Sequence, residues 1–264
     1  MPERIAPQLD RLAGKIRSAL KLLIFIDFDG TLVAIKDRPS ECFLDPAVGQ
    51  TLSALARQDR VSVGIVSGRE LADLRARVGV DGITYAGNHG LEIEGPGFAF
   101  REANAVSLIK ELQELLNNLS PLTTWFPGAW VQDKGLSASI HYRQVNPADV
   151  PRLLDVVHNI AKPSLDAHKV VLRTGKMVLE IRPAVDWHKG KAVGWLAQKM
   201  SPIYSEPLLI YLGDDDTDED VFKAWPGEIT VCVGEDHNTS ANYSVRDPNE
   251  VHAFLRWLLI QTQG

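Results

Sequence analysis

The most constraining feature of the chain is the segment Leu22-Leu-Ile-Phe-Ile26, five apolar residues in a row that stop abruptly at Asp27-Phe-Asp29-Gly30. An uninterrupted apolar run of that length fits a strand covered on both faces, as in a parallel sheet flanked by helices. The pattern recurs at Val61–Val66, which stops at Ser67-Gly68-Arg69, at Leu208–Leu212, which stops at Gly213-Asp214, and at Ile229–Val233, which stops at Gly234. Helical patterns at 48–56, 71–78 and 191–200 lie between several of these runs, so strand and helix alternate and an α/β fold with a Rossmann-like parallel sheet is expected. Polar clusters follow three of the strands at the end where open α/β sheets bind ligands, which points to one site.

The middle of the chain has another rhythm. Apolar spacing predicts a helix over 105–119 and another over 148–161, with strands at 136–142, 170–173 and 177–181, the last two joined by a turn at Thr174-Gly175. The reading is a small α+β domain at 103–183 inserted into a core made of 1–102 and 184–264. With 264 residues the chain has room for two modest domains.

Charge narrows the class of function. The 28 basic and 34 acidic residues leave a formal net charge of -6, which gives no general attraction to nucleic acid or anionic lipid. Residues 1–20 lack the apolar core of a signal peptide and no run is long enough to span a bilayer, so a cytoplasmic protein without membrane or nucleic-acid partners is expected. Cys42 and Cys232 have no metal-ligand or disulfide spacing and read as two reduced core thiols.

The chemistry concentrates at the strand ends. Residues two apart on an extended strand project to the same side, so Asp27 and Asp29 can face one ligand, and Gly30 lets the chain turn away. Neighbouring carboxylates repel unless a cation compensates, and a hard divalent ion such as Mg²⁺, which accepts a few carboxylates together with phosphate oxygens, meets that need. Asp214, Asp215 and Asp218 in Gly213-Asp-Asp-Asp-Thr-Asp-Glu-Asp220 can supply further oxygens. Ser67 and Gly68, between a strand and a helix, can offer a hydroxyl and backbone N–H groups to phosphate, and Lys189 ahead of the helix at 191 can add an ammonium. His141 and His188 lack zinc spacing, and the six tryptophans are scattered, so structural roles are expected for them.

The ordered set DFDGTL, SGR, Lys189-Gly190 and GDDDTDED resembles the four motifs of the haloacid dehalogenase superfamily of phosphohydrolases. That resemblance implies Asp27 as nucleophile, Asp29 as general acid and base, Lys189 as their catalytic partner, a metal site from Asp27, Asp214 and the backbone carbonyl of Asp29, and acidic support from Asp215 and Asp218. An acid at position 29 favours phosphate esters over dehalogenation, because a departing alkoxide needs a proton.

Within the superfamily, Ala86-Gly-Asn-His-Gly-Leu-Glu92, Val131-Gln-Asp-Lys134, His141-Tyr-Arg143 and Leu179-Glu-Ile-Arg-Pro183 look like the trehalose-6-phosphate phosphatases. The likeness implies that the inserted domain is a cap that reads the sugar of a small sugar phosphate, and it admits a sugar-phosphate synthase as partner. Substrate contacts are then expected from Gln132, Lys134, Arg143 and Glu180, and from Arg69, Asn88, His89 and Glu92 on the core. Many family members carry Glu where this chain has Gln132, which keeps the acceptor oxygen and loses the charge. Phosphates of sucrose, glucosylglycerol or glycosylglycerate stay open as substrates, and so does a sugar-phosphate sensor without turnover.

Overall fold

A computed structural model describes residues 2–36, 38–175, 177–201, 206–234 and 238–263. In chain order the strands are β1 (Glu3–Arg4), β2 (Leu22–Ile26), β3 (Val61–Val66), β4 (Thr84–Gly87), β5 (Glu92–Gly95), β6 (Phe98–Arg101), β7 (Trp130–Asp133), β8 (Ala138–His141), β9 (Val170–Gly175), β10 (Val178–Pro183), β11 (Leu208–Gly213), β12 (Ile229–Val233) and β13 (Tyr243–Val245). The helices are α1 (Leu9–Ser18), α2 (Pro46–Ala56), α3 (Leu71–Val78), α4 (Ala103–Ser107), α5 (Ile109–Leu119), α6 (Leu122–Trp125), α7 (Val150–Asp166), α8 (Lys189–Met200), α9 (Glu219–Ala224) and α10 (Pro248–Thr262). The chain separates into two compact units, Met1–Phe100 with Trp187–Gly264, and Arg101–Asp186.

The first unit is built on a sheet in the order β1-β13-β12-β11-β2-β3-β4-β5-β6. Its strands are parallel from β1 to β4, and β5 pairs antiparallel with β4. The period-two alternation of a strand divides the apolar runs between two cores. Leu22, Ile24 and Ile26 of β2, with Leu208, Ile210 and Leu212 of β11, pack under α1, α2, α3 and α10. Leu23, Phe25, Leu209 and Tyr211 face the other way, toward α8 and α9. Each such aliphatic side chain, buried on folding, contributes about 1.5–3 kcal/mol, which is why these runs are so largely apolar.

The chain winds outward from β2 through β3 and β4 on one side, and from β11 through β12 and β13 on the other. The strand order therefore reverses between β2 and β11. Their carboxyl ends carry Asp27 and Asp214, and register holds them level: Leu212 pairs with Ile26, and Asp27 N donates to Leu212 O at 2.9 Å.

Helix starts follow local chemistry. The Asp45 side chain accepts from Ala47 N ahead of α2, and Asp247 accepts from Glu250 N ahead of α10; both helices begin with Pro, whose missing N–H is not needed there. Helix α3 ends at Gly79 in the left-handed region.

The second unit is an antiparallel sheet in the order β7-β8-β10-β9, with α5 and α7 on its apolar face. Four expectations shift here. The helix expected over 105–119 breaks at Leu108 into α4 and α5, and the expected strand 136–142 narrows to β8. Thr174 and Gly175 belong to the ladder, paired with Leu179 and Val178, so the β9–β10 reversal falls beyond them; Lys176, in the expected turn segment, lies outside the described residues. Helix α7 continues five residues past Ala161, to Asp166. Both cysteines are buried free thiols, and burial pushes Cys232 up to about 11. Among the described residues no helix is long and apolar enough to cross a membrane.

Candidate active site

The site of the first unit forms at the strand-order reversal. Past β2 the chain turns at once: Gly30 N donates to Val33 O at 2.7 Å, and both Leu32 N and Val33 N donate to Phe28 O. Gly30 has φ 92°, and a Cβ there would overlap the Asp214 carboxylate, so two separate properties of glycine are needed at one position. Thr31 Oγ1 donates to Asp214 Oδ1 at 3.2 Å.

Lys189, the first residue of α8, reaches the same place with its side chain fully buried. Its ammonium donates to Asp27 Oδ1 and Asp218 Oδ1, both at 2.7 Å. Burial alone would lower the lysine, yet Asp218 and Asp27 hold it well above its usual value. Burial pushes the Asp27 carboxyl well up, against the pull of Lys189 and with the repulsion of Asp218 and Asp214 added. A buried charge of this kind persists only while paired.

Asp27, Asp214 and Asp218 each offer an oxygen within 4.8 Å of the others. Hard carboxylate oxygens, three buried acids and a single ammonium bonded to two of them fit a hard divalent cation. The three acids are not equivalent. Asp218 Oδ1 accepts from Lys189 and from Tyr211 Oη at 2.6 Å, while its Oδ2 accepts from Asp214 N at 2.9 Å and Asp215 N at 3.1 Å. Four donors use all four lone-pair directions of a carboxylate, so Asp218 is bound into the scaffold. Asp215 accepts from the Thr217 amide and hydroxyl and points along the exposed loop.

The Asp29 carboxylate is turned away from this acid cluster. Its two oxygens accept from Arg69 Nε at 2.6 Å and Arg69 Nη2 at 2.7 Å. The metal contact expected from the Asp29 backbone carbonyl leaves this pair intact. Arg69, expected from the sequence as a substrate contact, also donates from its guanidinium to Asp73 Oδ2 and Pro39 O, and it lies over the Phe28 ring.

The loops after β3 and β4 are knitted together. His89 N donates to Ser67 O, Asn88 N to Arg69 O, and Ser67 Oγ accepts from Arg69 N at 3.2 Å. A Cβ on Gly68 would stand 2.6 Å from the His89 ring, which explains why only glycine fits. Asn88 and His89 both hold positive φ, 49° and 58°. Glu92 Oε1 accepts from Leu71 N at 2.9 Å and Asn88 Nδ2 at 2.8 Å. Glu92 and Asn88, expected as substrate contacts, thus also have an internal role: Glu92 reaches from β5 to satisfy the first amide of α3.

In the second unit, alternation puts Trp130, Gln132, Ser139, His141, Val178 and Glu180 on the sheet face opposite the apolar core. Lys134 Nζ donates to Glu180 Oε1 at 3.3 Å, and Arg182 pairs with Glu180 Oε2. Gln132 Oε1 lies 3.0 Å from His141 Nε2, and His141 stacks on Trp130 with ring centroids 3.8 Å apart. Arg143 stands just past β8 and is exposed.

Sequence reasoning missed Tyr211, Thr31, Asp73 and the Asp29–Arg69 pair. Tyr211 sits inside an apolar strand run, where nothing in the pattern separates a hydroxyl aimed at a site from one aimed at the core.

The trehalose-phosphatase family model matches residues 25–249. Trehalose-phosphate phosphatase B of Arabidopsis thaliana is 33% identical over 257 residues, covering 90% of this chain and 66% of that protein. The trehalose-phosphate phosphatase of Mycobacterium tuberculosis is 36% identical, over 88% of this chain and 59% of its own length. The chain therefore spans less than two thirds of these curated relatives. Among solved structures, a trehalose-6-phosphate phosphatase related protein superposes with a TM-score of 0.78 at 27% identity, covering 90% of this chain and 97% of that one. A haloacid dehalogenase-like hydrolase from Bacteroides thetaiotaomicron, at 16% identity and TM-score 0.63, shares the fold over 89% of this chain and 98% of its own. Since the matched region takes in all four strand-end motifs and the insert between the second and third, the chain belongs to the trehalose-phosphatase family.

Proposed function

We propose that the chain is a phosphatase that hydrolyses trehalose 6-phosphate to trehalose and phosphate through a phosphorylated Asp27. The observation that carries this reading is the buried Lys189–Asp27 pair at the strand-order reversal, 2.7 Å long, within the acid cluster that Asp27 forms with Asp214 and Asp218. In the first half-reaction an Asp27 oxygen forms a bond to phosphorus, the bond from phosphorus to the sugar oxygen breaks, and Asp29 gives that oxygen a proton. In the second, Asp29 takes a proton from water as its oxygen attacks phosphorus, and Asp27 is released. Lys189 holds the attacking carboxylate in place and offsets its charge. The Ser67 hydroxyl and the Gly68 amide bind the phosphoryl oxygens.

Asp27, Asp214 and the Asp29 carbonyl would hold Mg²⁺, which when bound neutralises charge on the transferring group. The sugar is read by hydrogen-bonding groups of the inserted unit, Gln132, Lys134, Arg143 and Glu180, because a buried polar group left unpaired by the wrong sugar is costly. The names of the relatives support trehalose as that sugar. Phosphate release from a panel of sugar phosphates, with and without added Mg²⁺, tests the assignment: trehalose 6-phosphate should give the highest kcat/KM and Mg²⁺ removal should abolish it. Faster turnover of another glycosyl phosphate would reassign the substrate, and absence of turnover on every member would favour a sensor.

A further inference from the structure

The sequence groups Arg69 with the substrate contacts, and in the structure its guanidinium is engaged by other groups of the chain. The side chain is 8% exposed. Its donors go to Asp29, to Asp73 Oδ2 at 2.8 Å and to Pro39 O at 3.0 Å, and the Phe28 ring lies 5.3 Å from the guanidinium carbon. Asp73 is fixed in turn by Arg77. Arg69 is therefore held from behind by partners that remain whatever Asp29 does.

Asp29 has the opposite character. Its side chain is 34% exposed, so the edge away from Arg69 is open. The fork uses one lone pair on each carboxylate oxygen, and beside the Cys42 thiol, which also bonds to this carboxyl, a lone pair remains for a proton or a water molecule. A planar two-point contact fixes the rotamer and the plane of the carboxyl, which a single-point lysine contact does not.

We propose that Arg69, backed by Asp73, is the positioning residue for Asp29 and sets the angle at which that carboxyl meets the departing sugar oxygen. The inference rests on the reading of Asp29 as the acid in the proposed reaction. Phosphoryl transfer to Asp27 breaks the phosphorus–oxygen bond to the alcohol, and the alcohol oxygen must collect the proton from Asp29 as it leaves. A nitrophenolate leaves without that proton. The quantity kcat/KM covers events up to release of the alcohol and omits the later attack of water, so it isolates this first proton transfer.

The test compares kcat/KM of the full chain on the sugar phosphate that the wild type hydrolyses best and on p-nitrophenyl phosphate, for wild type, Arg69→Lys and Asp29→Asn. Arg69→Lys keeps the charge and loses the fork, so kcat/KM for the sugar phosphate should fall by about tenfold or more while that for p-nitrophenyl phosphate stays near wild type. Asp29→Asn should show the same selectivity with a larger loss. If Asp29→Asn is selective and Arg69→Lys loses both substrates by one factor, or raises KM for both, Arg69 is structural or a substrate contact and the inference is overturned with the acid intact. If Asp29→Asn loses both alike, the acid role falls and the inference with it. Should Arg69→Lys fail to fold, Asp73→Asn carries the comparison: it keeps the Asp29 pair, removes its buttress, and should show a smaller loss of the same selectivity; equal loss on both substrates overturns the inference.

Discussion

Gly30 and Asp214 touch so closely that the glycine has no space for a side chain: a Cβ at position 30 would overlap the carboxylate at the end of β11. Asp214 is one of the three acids that converge at the strand-order reversal, so its position depends on a hydrogen atom 184 residues earlier in the chain.

Gly30→Ala tests that dependence. Besides the overlap, alanine at φ 92° strains the backbone by about 1–3 kcal/mol. The variant should melt lower by calorimetry and should bind Mg²⁺ more weakly by titration calorimetry. Unchanged Mg²⁺ affinity would show that Asp214 does not need its present position.

Replacing the proposed nucleophile by its isostere separates chemistry from folding. Asp27→Asn keeps an oxygen that can accept from Lys189, so circular dichroism and melting should remain close to wild type while phosphate release disappears. Mass spectrometry of the quenched wild-type reaction should show one added phosphoryl group on the peptide carrying Asp27, and none in the variant. Retained turnover in Asp27→Asn would rule out the covalent route.

Lys189→Met leaves Asp27 and Asp218 facing each other without the ammonium that bonds both. Removing one partner of a buried ion pair costs about 3–5 kcal/mol, and urea denaturation without metal should show a loss of that size. A loss near zero would mean that the acids take up protons at no cost to the fold.

Asp73 gives a pH dependence with a definite sign. Burial pushes its carboxyl up, but hydrogen bonds from Arg77 and Arg69 outweigh that and hold it below the usual 3.8. Such a group stabilises the fold above its unfolded-state value and loses the contribution as pH falls through the lower native one. Asp73→Asn should therefore be less stable than wild type at pH 7, by about 1 kcal/mol because solvent reaches part of the carboxyl. Urea denaturation at pH 7 and pH 3 should show the gap narrowing at the lower pH; a gap that widens there would contradict the ion pair.

Much of the first unit was legible in the sequence. The runs at 22–26, 61–66, 208–212 and 229–233 are strands, because only a doubly covered strand concentrates apolar residues so densely, and the acidic and hydroxyl clusters stand at their carboxyl ends. Strands β4, β5 and β6, the last at the sheet edge, were not read as strands: they are four residues each, and the half-exposed β6 has too little pattern to distinguish it from a loop.

Residue types and their order along the chain were enough to specify an α/β core, an insert, and the acids from which a phosphate site is made, since those follow from burial and periodicity within short windows. Which group serves which partner was decided only by tertiary structure. Lys189 and Asp27 are 162 residues apart, Thr31 and Asp214 183, and Arg69 and Asp29 40. The orientation of a carboxylate depends on donors brought in by other strands, and no local pattern encodes that: the reversal of strand order between β2 and β11 brings two acidic strand ends together, turns Asp218 into scaffold, and gives Asp29 to Arg69.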